Sequence, residues 1–137
     1  MEKLKIAIAC QNNSLPQSHF GDAPEFAIYT VSSQKEIHLE KQIANDKKDM
    51  DEEGHNSAVK RKSVVSLLDA DTDYIVASLM SPNFPKIHKN TTIIPFVAKN
   101  FTLTEILDYF VDHFEELTSQ KQRKQNGEVT QIPMIQK

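Results

Sequence analysis

Tyr74-Ile75-Val76-Ala77-Ser78-Leu79 is an almost unbroken apolar run, bounded upstream by Asp71-Thr72-Asp73 and downstream by Ser81-Pro82. Such a run is strand-length rather than helix-length, and without polar alternation it reads as a central parallel strand buried on both faces. Parallel neighbours need crossovers long enough to hold helices, and the flanks have the pattern for them. Upstream, Ser57 is placed to cap a helix over about 57–69, with Val59, Val64, Val65, Leu67 and Leu68 as its apolar stripe and Lys60, Arg61 and Lys62 facing water. Downstream, Ser81-Pro82 opens a short helix, Asn83 to Lys89, before a further strand, Thr92-Ile93-Ile94-Pro95-Phe96-Val97. Pro95 has no N–H to donate to a ladder, which argues for a sheet edge there.

Toward the N-terminus, Leu4 to Cys10 reads as a first buried strand, ended by Gln11-Asn12-Asn13-Ser14. Phe26 to Val31 is rich in β-branched and aromatic residues and forms a second. Ile37 and Leu39 alternate with His38 and Glu40, as in a half-buried antiparallel third strand across the polar turn Ser32 to Lys35. Residues 44–56 crowd five carboxylates around Lys47 and Lys48 and read as a mobile surface loop. Near the C-terminus, Thr102 or Thr104 caps an amphipathic helix whose stripe is Ile106, Leu107, Tyr109, Phe110, Phe114 and Leu117. The expected fold is therefore α/β: a five-stranded mixed sheet with about three helices, in one domain over residues 1–117. Residues 118–137 read as a polar, disordered tail.

The chain has 137 residues, 16 Lys+Arg against 19 Asp+Glu, a net charge of −3 and one Cys. This length suits one core, and the charge lacks the positive field of a dedicated nucleic-acid binder. A single thiol cannot form an internal disulfide. The apolar stretch Ile6 to Cys10 is too short for a signal peptide and no window approaches a bilayer span, so the expected location is the cytoplasm.

Few familiar constellations survive inspection. Gly21, Gly54 and Gly127 are too dispersed for a phosphate-binding glycine loop. Asp69, Asp71 and Asp73 open like a calcium loop, but Tyr74 stands where Gly is needed and Met80 where a bidentate Glu belongs. His38-Leu39-Glu40 has no Pro-Cys-x-x-Cys after it and so lacks the ligands of a zinc deaminase. His88 and His113 read as surface residues near helix C-termini. Two-metal nuclease chemistry needs carboxylates on the first strand, which from Leu4 to Cys10 carries Lys5 alone as a charged group. Two residues remain. Cys10 lies at the carboxyl end of the first strand, where ligands gather in α/β sheets, and is a nucleophile, a soft metal ligand or a small apolar residue. His19 lies in the loop that follows, beside Gly21, and reads as a ligand displayed near Cys10 or as a turn residue.

The stretches Lys5-Ile6-Ala7-Ile8-Ala9 and Ser18-His19-Phe20-Gly21-Asp22-Ala23-Pro24-Glu25-Phe26-Ala27-Ile28-Tyr29 resemble the His-Phe-Gly-x-Ala-Pro signature of the dinitrogenase iron-molybdenum cofactor biosynthesis family. The later order of elements is similar over roughly residues 3–117. The resemblance implies a ribonuclease-H-like sheet. It also implies a nitrogen-fixation-related, non-catalytic accessory that binds an iron–sulfur or iron-molybdenum cofactor, or its precursor, and passes it between metallocluster assembly proteins. By motif match His19 is the expected metal ligand, imidazole being a suitable donor to iron; Cys10 is a second donor by position. The alternative is a cluster-free protein-interaction or regulatory module on the same fold.

Overall fold

The structure is a computed structural model that describes residues 2–12, 14–46, 57–128 and 131–137, with the backbone alone for 57–61. Strands β1 (Lys3–Cys10), β2 (Glu25–Ser32) and β3 (Ile37–Ala44) form an antiparallel meander. Helix α1 (Ser57–Ser66) precedes β4 (Tyr74–Ala77), and α2 (Phe84–Asn90) joins it to β5 (Ile94–Lys99). Helices α3 (Leu103–Asp112) and α4 (Phe114–Gln125) then lead to β6 (Met134–Gln136). One six-stranded sheet results, in the order β3-β2-β1-β4-β5-β6. β1, β4, β5 and β6 are parallel, while β2 opposes both of its neighbours.

Side-chain alternation divides the core between the two sheet faces. Leu4, Ile6, Ile8 and Cys10 join Tyr74, Val76 and Phe96 beneath Ile106, Leu107, Phe110 and Leu117 of α3 and α4. Ala7, Ala9, Ile28, Ile75 and Val97 lie on the other face, beneath Val64 and Leu68 of α1 and its flank and Phe84 and Ile87 of α2. Helices on both faces leave every residue of β4 buried, as its apolar run requires. The capping box of α3 also forms: Thr102 Oγ1 accepts from the Glu105 N–H at 3.1 Å and Glu105 Oε1 from the Thr102 N–H at 2.9 Å.

The sheet has six strands rather than five, and residues 118–137, expected as a disordered tail, include most of α4 and all of β6. Polar side chains of α4 and the backbone pairing of β6 with β5 hold this segment, and no hydrophobic pattern announces either. Lys121 pairs with Asp73 at 3.2 Å, and Lys124 Nζ donates to the Ile93 carbonyl at 3.0 Å and lies 2.8 Å from His88 Nδ1. His88, expected on a helix surface, is accordingly 7% exposed. The continuous stripe of the last helix breaks at His113, whose ring stacks 3.9 Å over Tyr109. Its Nδ1 lies 3.0 Å from the Tyr109 carbonyl that also accepts the His113 N–H.

Pro95 is not on an edge strand, since β6 covers the outer side of β5. That pairing begins only at Val97, however. Ile94 and its N–H face β4, so the missing N–H of Pro95 points outward just before β6 starts. The crossovers through α2 and through α3–α4 step the same way across the sheet with their helices on opposite faces. They therefore have opposite hands, so one of the two is of the less common kind, which sequence rules of topology argue against.

β3 is not half-buried as its alternation predicts: Leu39 is 50% exposed and Ile37 38% exposed, because α3 and α4 stop short of this edge. A bulge opposite Ile28 and Tyr29 then shifts the register, and Ile43 turns to the α1–α2 face. The helix after β3 runs from Ser57 to Ser66 rather than to 69, with the residue before it outside the described part. Of the loop expected over 44–56, Ala44 ends β3 and Asn45 is buried, while 47–56 lie outside the described residues. In α2 the proline of the first turn is Pro85, not Pro82.

Candidate functional site

The parallel strands β1, β4 and β5 end together at one pole of the sheet, where ligand crevices of open α/β folds lie. Residues 11–24 cross this pole. Gln11 and Ser14 exchange backbone hydrogen bonds of 2.8 and 3.1 Å, and Leu15 packs on the α3–α4 side of the core. Ser78, immediately after β4, donates its hydroxyl to the Pro16 carbonyl at 2.6 Å and ties the loop across the strand ends. Phe20 then plunges into the opposite core face, stacking on Phe26 at 4.5 Å between ring centroids and tilting against Phe84 at 6.3 Å.

His19 immediately precedes a 3₁₀ turn over Phe20–Asp22. Its carbonyl accepts from the Asp22 N–H at 3.0 Å, and the Phe20 carbonyl from the Ala23 N–H at 3.3 Å. The residue is half-buried, and among the described residues its ring makes no hydrogen bond or ion pair. An imidazole whose backbone is fixed while its nitrogens stay available is chemically suited to donate to a borderline metal such as iron. Gly21 does not occupy the left-handed region expected of a glycine-dependent tight turn. The turn is held instead by Asn45, whose Nδ2 donates to the carbonyls of Gly21 at 2.9 Å and Ala23 at 2.8 Å.

Cys10 is not displayed beside His19 as a second donor. It is 2% exposed, with its side chain in the core cluster under α3 and α4, whereas the Phe20 end of the loop packs on the other face. Burial, followed by the charge of Glu25, pushes its thiol up to about 11, so it is protonated at neutral pH and behaves as a small apolar residue.

At the opposite pole, the carboxylates that resemble the start of a calcium loop are neutralised by lysines. Asp69 pairs with Lys5 at 3.1 Å and Lys41 at 2.6 Å, Asp71 with Lys5 at 2.9 Å, and Asp73 accepts from the Lys5 N–H at 2.9 Å besides pairing with Lys121. Hydrogen bonds from Lys41 and Lys5 hold Asp69 below the usual carboxylate range, while burial raises Asp73. Among the described residues no cluster of three or more His, Cys, Asp or Glu is placed to hold a metal ion. A resident cluster wrapped by several thiolates does not fit this donor set. A cargo touched by one imidazole does.

Sequence reasoning singled out His19 but missed Asn45 and Ser78. In the sequence Ser78 reads as the tail of an apolar strand and Asn45 as the start of a loop. The one available signal was an Asn directly after a strand, the residue type that bonds to nearby backbone at turns.

The structure therefore defines an α/β protein with a helix-covered mixed sheet and a braced, histidine-bearing turn at the carboxyl pole. The chain belongs to the dinitrogenase iron-molybdenum cofactor family, whose model matches residues 2–113. Residues 2–113 take in β1 through α3, including the His19 turn, and leave α4 and β6 beyond them. No curated protein matches the chain. Among the described residues, no helix is long and apolar enough to cross a membrane.

Proposed function

We propose that the protein handles the iron-molybdenum cofactor or an iron–sulfur precursor as cargo, binding it at the carboxyl pole through His19 and passing it to metallocluster assembly proteins of the cytoplasm without transforming it. Family membership relates the chain to this cofactor. The observation that carries the assignment to His19 is its available imidazole on a turn whose backbone is pinned. A lone protein donor gives a weak, exchangeable attachment, which suits delivery better than storage. The order β3-β2-β1-β4-β5, with β2 alone running against its neighbours, supports reading that part of the sheet as a ribonuclease-H-like motif.

The test is an anaerobic titration of the protein with isolated iron-molybdenum cofactor, followed by visible absorption and electron paramagnetic resonance, with His19→Ala in parallel. Saturable binding that His19→Ala abolishes is the expected result. Binding indifferent to the substitution removes His19 from the site, and absence of binding favours the second reading, a cluster-free interaction module. That reading draws support from β3, an exposed eight-residue edge strand with Ile37 and Leu39 in solvent.

A further inference from the structure

We infer that Asn45 is the positioning residue of the His19 turn, an inference that rests on the reading of His19 as the cargo ligand. Asn45 directly follows β3, is 3% exposed, and uses three donors on one short stretch of chain. Its Nδ2 donates to the carbonyls of Gly21 and Ala23, and its own N–H donates to the Pro24 carbonyl at 2.9 Å. The Gly21–Asp22 peptide plane is thereby held at both ends: its carbonyl by Asn45 and its N–H by the carbonyl of His19. That plane cannot swing without breaking a bond to His19's own backbone, so Asn45 acts on the ligand through a single rigid peptide group.

The chemistry of the side chain is specific to this task. Two carbonyls, that of Ala23 buried and that of Gly21 partly so, need two donors, and a carboxamide supplies both without a charge. Replacement by a carboxylate of nearly the same shape puts acceptors against acceptors. Replacement by alanine leaves both carbonyls unpaired. The end of edge strand β3 and the histidine turn thus form one mechanical unit, although 22 and 24 residues separate the bonded partners in sequence.

Amide hydrogen exchange of the cofactor-free protein tests this, in wild type, Asn45→Ala and Asn45→Asp. In wild type both Nδ2 protons should exchange slowly; exchange as fast as that of solvent-exposed amides would overturn the proposal without any variant. In Asn45→Ala, protection of the Asp22 and Ala23 amides should fall about tenfold or more, while Ile75 and Val76 of β4 change by less than about twofold. In Asn45→Asp the same protection should return as pH falls through the carboxyl pKa, because the acid form regains one donor. Asn45→Ala should lack this pH profile. Unchanged protection at Asp22 and Ala23, or an equal loss at Ile75 and Val76, refutes a positioning role. A cofactor titration then separates the two readings: cofactor binding lost in Asn45→Ala supports both, whereas a wild type that binds no cofactor but shows the exchange pattern sinks the cargo reading and leaves the positioning role intact.

Discussion

Truncation of Phe20 to alanine provides the most direct test of how the histidine turn is anchored. The ring is 2% exposed and lies in the core cluster with Ala23, Phe26, Ile28 and Phe84. Removing a buried phenyl group costs about 3–5 kcal/mol, with the larger values where the surroundings cannot collapse. Here the neighbours are two rings and a sheet, and the stack on Phe26 at 4.5 Å and 17° contributes about 0.5–1.5 kcal/mol beyond the buried area. About 4 kcal/mol is therefore expected, a large share of the roughly 5–15 kcal/mol that holds a domain folded. With a urea m-value of about 2 kcal/mol/M, the unfolding midpoint should drop by about 2 M, and the melting temperature by roughly 10 °C or more. Phe20→Leu, which keeps an aliphatic plug under the turn, should cost only about 1–2 kcal/mol. A midpoint shift below about 0.5 M for Phe20→Ala would show that the ring does not anchor the loop in solution and would undercut the geometry assigned to His19.

Two further outcomes follow from the buried titratable groups. Cys10 should resist an aromatic disulfide reagent at pH 8 in the native protein and react stoichiometrically once unfolded, since burial raises its thiol to about 11; rapid native reaction would contradict its place in the core. Burial lowers Lys124 from 10.5 to about 8, so between those values this one group binds fewer protons in the folded chain than in the unfolded one and contributes stability that rises with pH across that window. Lys124→Met should remove that rise. Lys5, Cys10, Tyr29, Tyr74 and Tyr109, all shifted upward, titrate in both proteins, so the difference between the two urea-unfolding curves isolates Lys124. Identical slopes would mean that the amine is solvated.

The legibility of the chain followed the physics of its elements. The run Tyr74 to Ala77 and the stripe Ile106, Leu107 and Phe110 announced themselves because burial on two faces, or on one helix face, leaves a periodic apolar record. Cys10 was placed correctly at the end of β1, but its chemistry was not legible: whether a thiol meets solvent or Leu and Phe side chains depends on what the far helices cover. His19 was visible through its motif, whereas its support by Asn45 was not, because a hydrogen bond between positions 45 and 21 or 23 leaves no periodicity to detect. The same reason explains α4 and β6. α4 is attached by lysine reaches to Asp73 and Ile93 and by a tyrosine hydroxyl donating to the Leu117 carbonyl at 2.7 Å, and β6 by backbone pairing with β5 from Val97 to Lys99.

The sequence by itself determined a mixed α/β sheet with a buried central strand, a capped helix over it and a histidine in a turn of recognisable composition, because these are local consequences of side-chain period, capping and turn chemistry. Only the tertiary structure decided that the thiol is sealed in, that the polar C-terminal segment joins the sheet, and that the histidine turn hangs from an asparagine at the end of β3. The first depends on which helices cover the end of β1, and the other two on polar and backbone groups finding partners far along the chain, where burial makes each such bond costly to lose.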